Sequence, residues 1–258
     1  MSRRASRIHK AVDSVLFDLD DTLIDWSGME QAWEELNEPL VGNLYEHLAQ
    51  NGYNLPERAV FFDAFVRRAH EVWDEAKEDL SGPEFREALR RVCVDAGLDL
   101  RGDEIDALME AYGWKPMPGV VPYPDTIFVL QTLREAGYRL GIVTNSFYPM
   151  WMRDVELAHY ELLDFFDVRI TASDAGYIKP HRAIYEQALV LLGTEPERTV
   201  FVGDRPQHDI LGANEAGLIS VLIDPPHLER EKNGIEADYT ICTLSELLSI
   251  LEELEAQA

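Results

Sequence analysis

The chain of 258 residues carries a formal net charge of −25, with 48 acidic against 23 basic side chains. Nucleic-acid binding through phosphate neutralisation requires a basic surface, so this charge excludes that class and favours a small-molecule ligand. Hydrophobic residues make up 46% of the chain, as in ordinary globular proteins. No apolar run reaches the roughly 18 residues that a membrane-spanning helix needs. We therefore expect a soluble, cytoplasmic protein, a monomer or homodimer, with no nucleic-acid or membrane partner.

The first half of the chain changes from one predicted strand to a long helical stretch. Residues 1–10 are basic and serine-rich and lack the apolar stretch of a secretory signal, so we interpret them as a flexible N-terminal tail. Residues 12–17 form a short run of β-branched and aromatic side chains, which predicts a buried strand. From 29 to 112 apolar residues recur at helical spacing, and breaks near residues 51, 81 and 101 predict about four helices.

Four prolines and two glycines in residues 113–124 indicate a domain boundary. Beyond it, the pattern predicts helices at 125–136, 149–163, 182–192, 209–216 and 244–254, alternating with strands at 138–144, 168–172, 199–203 and 219–223. Such alternation predicts an α/β fold, in which helices cover both faces of a parallel sheet. Because the strand at 12–17 must rejoin this sheet, we assign 11–25 and 115–258 to a discontinuous core and 26–114 to an inserted helical domain.

Polar side chains follow several of the predicted strands, at the edge where an open parallel sheet binds its ligand. Four carboxylates should converge there, and two like charges about 4 Å apart repel by roughly 4 kcal/mol at an effective dielectric constant of 20. Mg²⁺ is the natural ion to hold such oxygen ligands together beside a phosphate. The residues concerned are the carboxylates Asp18, Asp20, Asp204 and Asp209, the strand-end pair Thr144 and Asn145, and Lys179 in the loop after residues 168–172.

The neighbouring residues Asp18 and Asp20 should have different roles, because only one of them can point along the line of attack on a phosphate. We predict that Asp18 is the nucleophile and that Asp20 is the general acid and base. Thr144 and Asn145 suit phosphate oxygens, although such a pair is also an ordinary turn. Lys179 would hold the phosphate charge beside the nucleophile, or else be a solvated surface lysine.

Two cysteines and three tryptophans add less specific expectations. Cys93 and Cys242 lack neighbours at zinc-ligand spacing and are expected to be buried free thiols. Trp26 follows the first cluster of aspartates and is a candidate to line the substrate pocket. Trp33 and Trp73 lie in predicted helices, where packing in the inserted domain is the expected role.

Four segments, taken together and in this order, resemble the four motifs of the haloacid dehalogenase superfamily. They are VLFDLDDTL at 15–23, IVTN at 142–145, IKP at 178–180 and FVGD at 201–204, with Asp209 five residues after Asp204. The resemblance implies a Rossmann-like core and a helical cap, inserted after the first strand, that closes over the substrate. It spans nearly the whole chain.

The resemblance also implies specific roles. Asp18, Asp204 and the backbone carbonyl of Asp20 would hold Mg²⁺, with support from Asp209. Thr144 and Lys179 would grip the phosphate of a small phosphorylated metabolite.

Three residues depart from the family pattern. Asp21 stands where many members have glycine, and Arg205 and His208 stand where small or amide residues are common. We expect Arg205 to pair with a neighbouring acid, with substrate contact as the alternative. We expect His208 and His181 to be loop histidines rather than substrate ligands.

Within the superfamily the residues favour a Mg²⁺-dependent phosphatase. Asp20 argues against a dehalogenase, which has no leaving oxygen to protonate. Lys77 is the only lysine in the helical stretch, so a phosphonate hydrolase with a cap Schiff base is a poor fit. A phosphomutase and a non-catalytic phosphate-ligand-binding protein stay open. The expected substrate is phosphoglycolate, a sugar phosphate or a nucleoside monophosphate.

Overall fold

A computed structural model describes residues 11–257, so the predicted tail at 1–10 lies outside the described residues. An inner strand of the core sheet is β1 (Ser14–Phe17), which is wholly buried. β1 pairs in parallel with β4 (Arg139–Thr144) on one side and β6 (Thr199–Gly203) on the other. The sheet is completed by β5 (Val168–Thr171), β7 (Ile219–Ile223) and β8 (Tyr239–Ile241), giving the order β5-β4-β1-β6-β7-β8.

The helical insertion leaves and rejoins the core through a short antiparallel pair, β2 (Ile24–Asp25) and β3 (Val121–Pro122). Between these strands lie the four helices of the cap, each with an apolar face turned inward. The α/β fold with an inserted helical cap is thereby confirmed. The cap helices are α1 (Trp33–Gln50), α2 (Arg58–Asp79), α3 (Phe85–Asp95) and α4 (Gly102–Tyr112).

Some helices and strands of the core have the bounds that the sequence pattern predicted, and others differ. The predicted bounds at 182–192, 199–203 and 219–223 match the structure. The helix predicted at 149–163 ends at His159, because the chain turns at Glu161, which has a φ of 58°. The core helices are α5 (Thr126–Glu135), α6 (Met150–His159), α7 (Ala172–Ala175), α8 (Arg182–Leu192), α9 (Leu211–Ala216) and α10 (Glu246–Ala256).

The cap contacts the core through its own backbone, at the segment between α2 and α3. The amide of Ile178 donates to the carbonyl of Leu80 at 3.1 Å, one residue before Lys179. Gly82 lies so close to the core that a Cβ there would be 2.2 Å from the carbonyl oxygen of Ala172. A continuous apolar core therefore runs from the sheet into the cap, through aromatic contacts among Phe85, Tyr112, Phe147 and Tyr148.

The two cysteines differ in burial. Cys93 is free and buried, as expected, but Cys242 is exposed. The prediction for Cys242 is wrong, because the residue follows β8, the edge strand of the sheet. Over residues 11–257, the helices are all too short or too polar to cross a membrane.

Candidate active site

Two neighbouring strands bring the first carboxylates together. Asp18 follows β1 and its amide donates to the carbonyl of Val202 in β6 at 2.9 Å, while Asp204 directly follows β6. Asp209 joins them, and one carboxylate oxygen from each of the three lies within 4.8 Å of the others. All three residues are buried. We call Asp18, Asp204 and Asp209 the acidic cluster.

Asp209 reaches the cluster because residue 203 is a glycine. A Cβ on Gly203 would lie 2.4 Å from Cγ of Asp209, far inside van der Waals contact. The turn Pro206–Ile210 is π-helical and carries the Asp209 carboxylate back toward β6. There the amide of Arg205 donates to Asp209 Oδ2 at 2.9 Å. Gly203 and this turn therefore fix the third carboxylate.

Lys179 places a positive charge inside the acidic cluster. Its Nζ lies 2.8 Å from Asp18 Oδ1 and 2.6 Å from Asp209 Oδ1, and the residue is only 1% exposed. Burial alone would lower the pKa of Lys179, but the two carboxylates outweigh it and raise the pKa above the usual value. The lysine therefore stays charged and orients the Asp18 carboxylate.

Asn145 and His208 hold the backbone of Lys179. The amide of Lys179 donates to Asn145 Oδ1 at 2.7 Å, and Asn145 Nδ2 donates to the carbonyl of Lys179 at 3.1 Å. Nδ1 of His208 lies 3.0 Å from the same carbonyl. Asn145 thus acts on the lysine loop, rather than presenting a free amide to a phosphate as the sequence analysis expected.

The charge of the acidic cluster fits a hard divalent cation. Burial raises the pKa of Asp18 to about 6, against the opposing effect of Lys179. Burial, together with the charges of Asp209 and Asp18, raises the pKa of Asp204 to about 8. Asp204 Oδ1 is buried and has no hydrogen-bond partner within residues 11–257. Carboxylates this close need a further cation to remain ionised together, and oxygen ligands of this kind suit Mg²⁺.

Asp20 lies outside the acidic cluster, so three of the four expected carboxylates converge rather than all of them. Its side chain turns to Arg153 of α6, whose Nη2 donates to Asp20 Oδ1 at 2.6 Å. Nε1 of Trp26 donates to the same oxygen at 2.8 Å, which places this half-buried tryptophan beside the site. Burial alone would raise the pKa of Asp20, but Arg153 holds it below the usual value.

The backbone at Asp21 explains why glycine suits this position. Asp21 has a φ of 58°, in the left-handed region that glycine favours and that aspartate tolerates better than most residues. Its carboxylate is also used, because Arg230 Nη2 donates to Asp21 Oδ2 at 2.7 Å. The same guanidinium reaches the acidic cluster at Asp204 Oδ2, 2.6 Å away.

Thr144 ends β4, directly beside β1, and is buried. Its hydroxyl makes no hydrogen bond to any residue between 11 and 257. Trp33 stacks on Phe65 inside the cap, and Trp73 packs, partly buried, against the apolar core. Packing is therefore the role that the contacts of Trp33 and Trp73 support.

Sequence reasoning missed three charged residues of the site and misjudged a fourth. Arg153 and Glu156 form a buried pair on α6, with Nε to Oε2 at 2.6 Å, and Arg230 bridges two aspartates from the loop after β7. The local signal for the pair was two opposite charges three residues apart in one helix, a spacing that places them side by side. Arg205 has no carboxylate within 4.0 Å among the described residues, so the expected ion pair is wrong.

The chain is similar to known proteins over most of its length. A family model described as haloacid dehalogenase-like hydrolase matches residues 12–217. A glyceraldehyde 3-phosphate phosphatase of Methanopyrus kandleri is 31% identical over 247 residues, which cover 94% of this chain and 98% of that protein. A ribulose-1,5-bisphosphate 5-phosphatase of Halopiger xanaduensis is 29% identical over 258 residues, covering 92% and 98%.

A solved structure gives the same result for the fold. The crystal structure of a HAD phosphatase from Thermococcus onnurineus is 29% identical, covers 93% of this chain and 98% of its own, and superposes with a TM-score of 0.56. The motif resemblance found in the sequence is thereby confirmed. With its acidic cluster at the carboxyl ends of β1 and β6, the chain belongs to the haloacid dehalogenase-like hydrolases.

Proposed function

We propose that the chain is a Mg²⁺-dependent phosphomonoesterase that works through an aspartyl-phosphate on Asp18. One observation carries the proposal: the buried Asp18 carboxylate lies 2.8 Å from Lys179 Nζ, within the acidic cluster. A carboxylate in this position is an oriented nucleophile, and the cation beside it attracts a phosphate. The phosphatase names of the relatives support the same reaction class.

Each residue of the site has a proposed part in the reaction. A carboxylate oxygen of Asp18 attacks phosphorus, the bond from phosphorus to the leaving oxygen breaks, and Asp20 gives that oxygen a proton. Water then attacks the phosphorus of the aspartyl-phosphate and gives its proton to Asp20, which frees phosphate and restores Asp18. Thr144 and Lys179 hold the phosphate oxygens.

Asp18, Asp204 and the backbone carbonyl of Asp20 are the proposed ligands of Mg²⁺, with Asp209 in support. The bound ion would neutralise charge on the phosphate oxygens. The orphaned oxygen of Asp204 and the raised pKa values of Asp18 and Asp204 support this assignment. Asn145 is proposed to act indirectly, by holding Lys179 in place.

The proposed substrate is a small phosphorylated metabolite. Of the three classes expected from the sequence, a sugar phosphate has the best support, because relatives of nearly full length are named for glyceraldehyde 3-phosphate and ribulose-1,5-bisphosphate. Trp26 is proposed to line the pocket, since its Nε1 donates to the Asp20 carboxylate at 2.8 Å.

Hydrolysis of p-nitrophenyl phosphate with and without Mg²⁺ tests the proposal. We expect EDTA and the substitution Asp18→Asn each to abolish turnover, while Asp63→Asn, at an exposed position of α2, keeps it. Asp20→Asn should slow breakdown of the intermediate, so phosphorylated protein should accumulate in intact-mass spectra. Activity that survives both EDTA and Asp18→Asn refutes the mechanism. Transfer of the phosphoryl group to a sugar would establish a phosphomutase, and binding without turnover a phosphate-ligand-binding protein.

A further inference from the structure

Arg205 differs from the other arginines of this acidic protein. It is exposed, and it has no carboxylate oxygen within 4.0 Å among residues 11–257. Every other arginine in the described part of the chain has such a partner. In a chain of net charge −25, where carboxylates surround almost every cation, a guanidinium with free donors needs an explanation.

The free guanidinium belongs to the rim of the active site. Arg205 directly follows Asp204, and its amide donates to Asp209 Oδ2 at 2.9 Å, so its backbone is fixed to the acidic cluster. The exposed side chain of Arg205 therefore starts at the edge of the acidic cluster and makes no ion pair with its carboxylates.

The other cations around the site have partners already. Lys179 is bound to Asp18 and Asp209, Arg153 to Asp20, and Arg230 to Asp204. Arg205 alone in this group keeps all its side-chain donors for a ligand. A guanidinium presents paired N–H donors that match the two oxygens of a carboxylate or phosphate, and such bonds are stronger than bonds between neutral groups.

Resting on the proposed phosphatase function, we propose that Arg205 binds a second anionic group of the substrate, a carboxylate or a second phosphate. The reacting phosphate would then lie at Asp18, Thr144 and Lys179, while the second group lies at the exposed rim. The enzyme should accordingly prefer phosphate esters with two separate anionic groups over esters with one.

Two pairs of substrates test this preference. 3-Phosphoglycerate differs from glyceraldehyde 3-phosphate by a carboxylate, and ribulose 1,5-bisphosphate differs from ribulose 5-phosphate by a phosphate. For each pair the readout is the ratio of kcat/KM between the doubly and singly anionic member. We expect Arg205→Gln to lower this ratio by about 10- to 100-fold, mainly through KM, since a charged hydrogen bond contributes about 1.5–3 kcal/mol.

Two further variants and a comparison of the two substrate pairs distinguish the possible outcomes. Arg205→Lys should restore part of the ratio, and Arg182→Gln, which removes an exposed arginine of α8 paired with Glu186, should leave it unchanged. If Arg205→Gln lowers the kcat/KM ratio only for the 3-phosphoglycerate pair, the second group is a carboxylate. If it lowers the ratio only for the ribulose pair, the second group is a phosphate. If Arg205→Gln lowers kcat/KM equally for the doubly and the singly anionic member of both pairs, the proposal is overturned.

A binding measurement decides the question independently of turnover. 3-Phosphoglycerate and ribulose 1,5-bisphosphate are titrated calorimetrically, with Mg²⁺, into Asp18→Asn protein and into Asp18→Asn/Arg205→Gln protein. Weaker binding to the double variant supports the role of Arg205, even if wild-type protein fails to hydrolyse p-nitrophenyl phosphate and the proposed function falls. Equal affinities for both ligands overturn the role of Arg205 and leave the proposed function standing if hydrolysis depends on Asp18.

Discussion

Arg153 holds the carboxylate of Asp20 through two hydrogen bonds, from Nη2 to Oδ1 at 2.6 Å and from Nη1 to Oδ2 at 3.2 Å. Arg153 is 4% exposed, so this bidentate contact is shielded from water. An acid that must give up a proton is thus kept ionised by a fixed cation.

The first prediction concerns Arg153→Met. Without the cation, the effect of burial prevails and the pKa of Asp20 should rise. An acid with a higher pKa stays protonated to higher pH, so the alkaline limb of kcat/KM should move upward. The measurement is the pH profile of p-nitrophenyl phosphate hydrolysis. Arg153→Lys keeps the charge and should lie closer to wild type, whereas a Met variant with an unmoved limb contradicts the assignment.

The second prediction concerns Glu156, which is fully buried beside Arg153. Burial raises its pKa to about 7 from 4.5, although Arg153 opposes the shift. The folded state therefore binds the proton more tightly, so the contribution of Glu156 to stability is greatest below about pH 4.5. That contribution falls by on the order of 3 kcal/mol as the pH rises to about 7.

Glu156→Gln should remove this part of the pH dependence. Thermal unfolding between pH 5 and pH 8 should show the variant gaining stability relative to wild type as the pH rises. Glu186→Gln, an exposed carboxylate on α8, serves as the matched control and should follow the wild-type curve. Parallel curves for wild type and Glu156→Gln would show that the carboxyl does not titrate in this range.

The third prediction concerns Arg230, which contacts Asp204 through Nη2 at 2.6 Å and Nε at 2.8 Å. A guanidinium on a proposed metal ligand competes with the ion for the carboxylate and repels it. Arg230→Gln should therefore tighten Mg²⁺ binding about 10-fold, which corresponds to about 1.4 kcal/mol. Calorimetric titration of metal-free protein with Mg²⁺ measures the Kd directly, with Arg182→Gln as control. Weaker binding would mean that Arg230 orients Asp204 for the ion instead.

The fourth prediction concerns the contact between cap and core at Gly82. In Gly82→Ala the new methyl group would lie 2.2 Å from the Ala172 carbonyl oxygen and 2.8 Å from Gly176 Cα, so the cap segment must move away. We expect a loss of about 1–3 kcal/mol in the free energy of unfolding and a higher KM. Gly102→Ala, where the nearest atom is a flexible arginine nitrogen at 3.4 Å, should leave both quantities near wild type.

The sequence predicted those parts of the structure that depend on local patterns. The buried runs at β6 and β7 and the helix α8 have their periodicity and their end signals within the element, so their bounds were correct. The aspartates after β1 and β6 were found because parallel strands must end at one edge. By contrast, β8 was missed, since it has three residues and only Ile241 is fully buried.

The remaining features depend on contacts between distant residues. Arg153 lies in a helix and Asp20 in a loop 133 positions away, and nothing near either residue in the sequence indicates the other. Arg230 contacts Asp21 across 209 positions. Arg205 was expected to pair with a neighbouring acid, but the turn that follows it directs its backbone amide, rather than its side chain, to Asp209.

The central position of β1 has a consequence for synthesis of the chain. The ribosome releases this apolar strand well before its partner strands, which begin only at Arg139 and Thr199. The cap helices follow one another without interruption and contact their sequence neighbours, so we expect them to fold early. We therefore expect β1 in the nascent chain to be unpaired until β4 emerges and to keep one open, aggregation-prone edge until Thr199–Gly203 emerges, so chaperone dependence should be greatest over that interval.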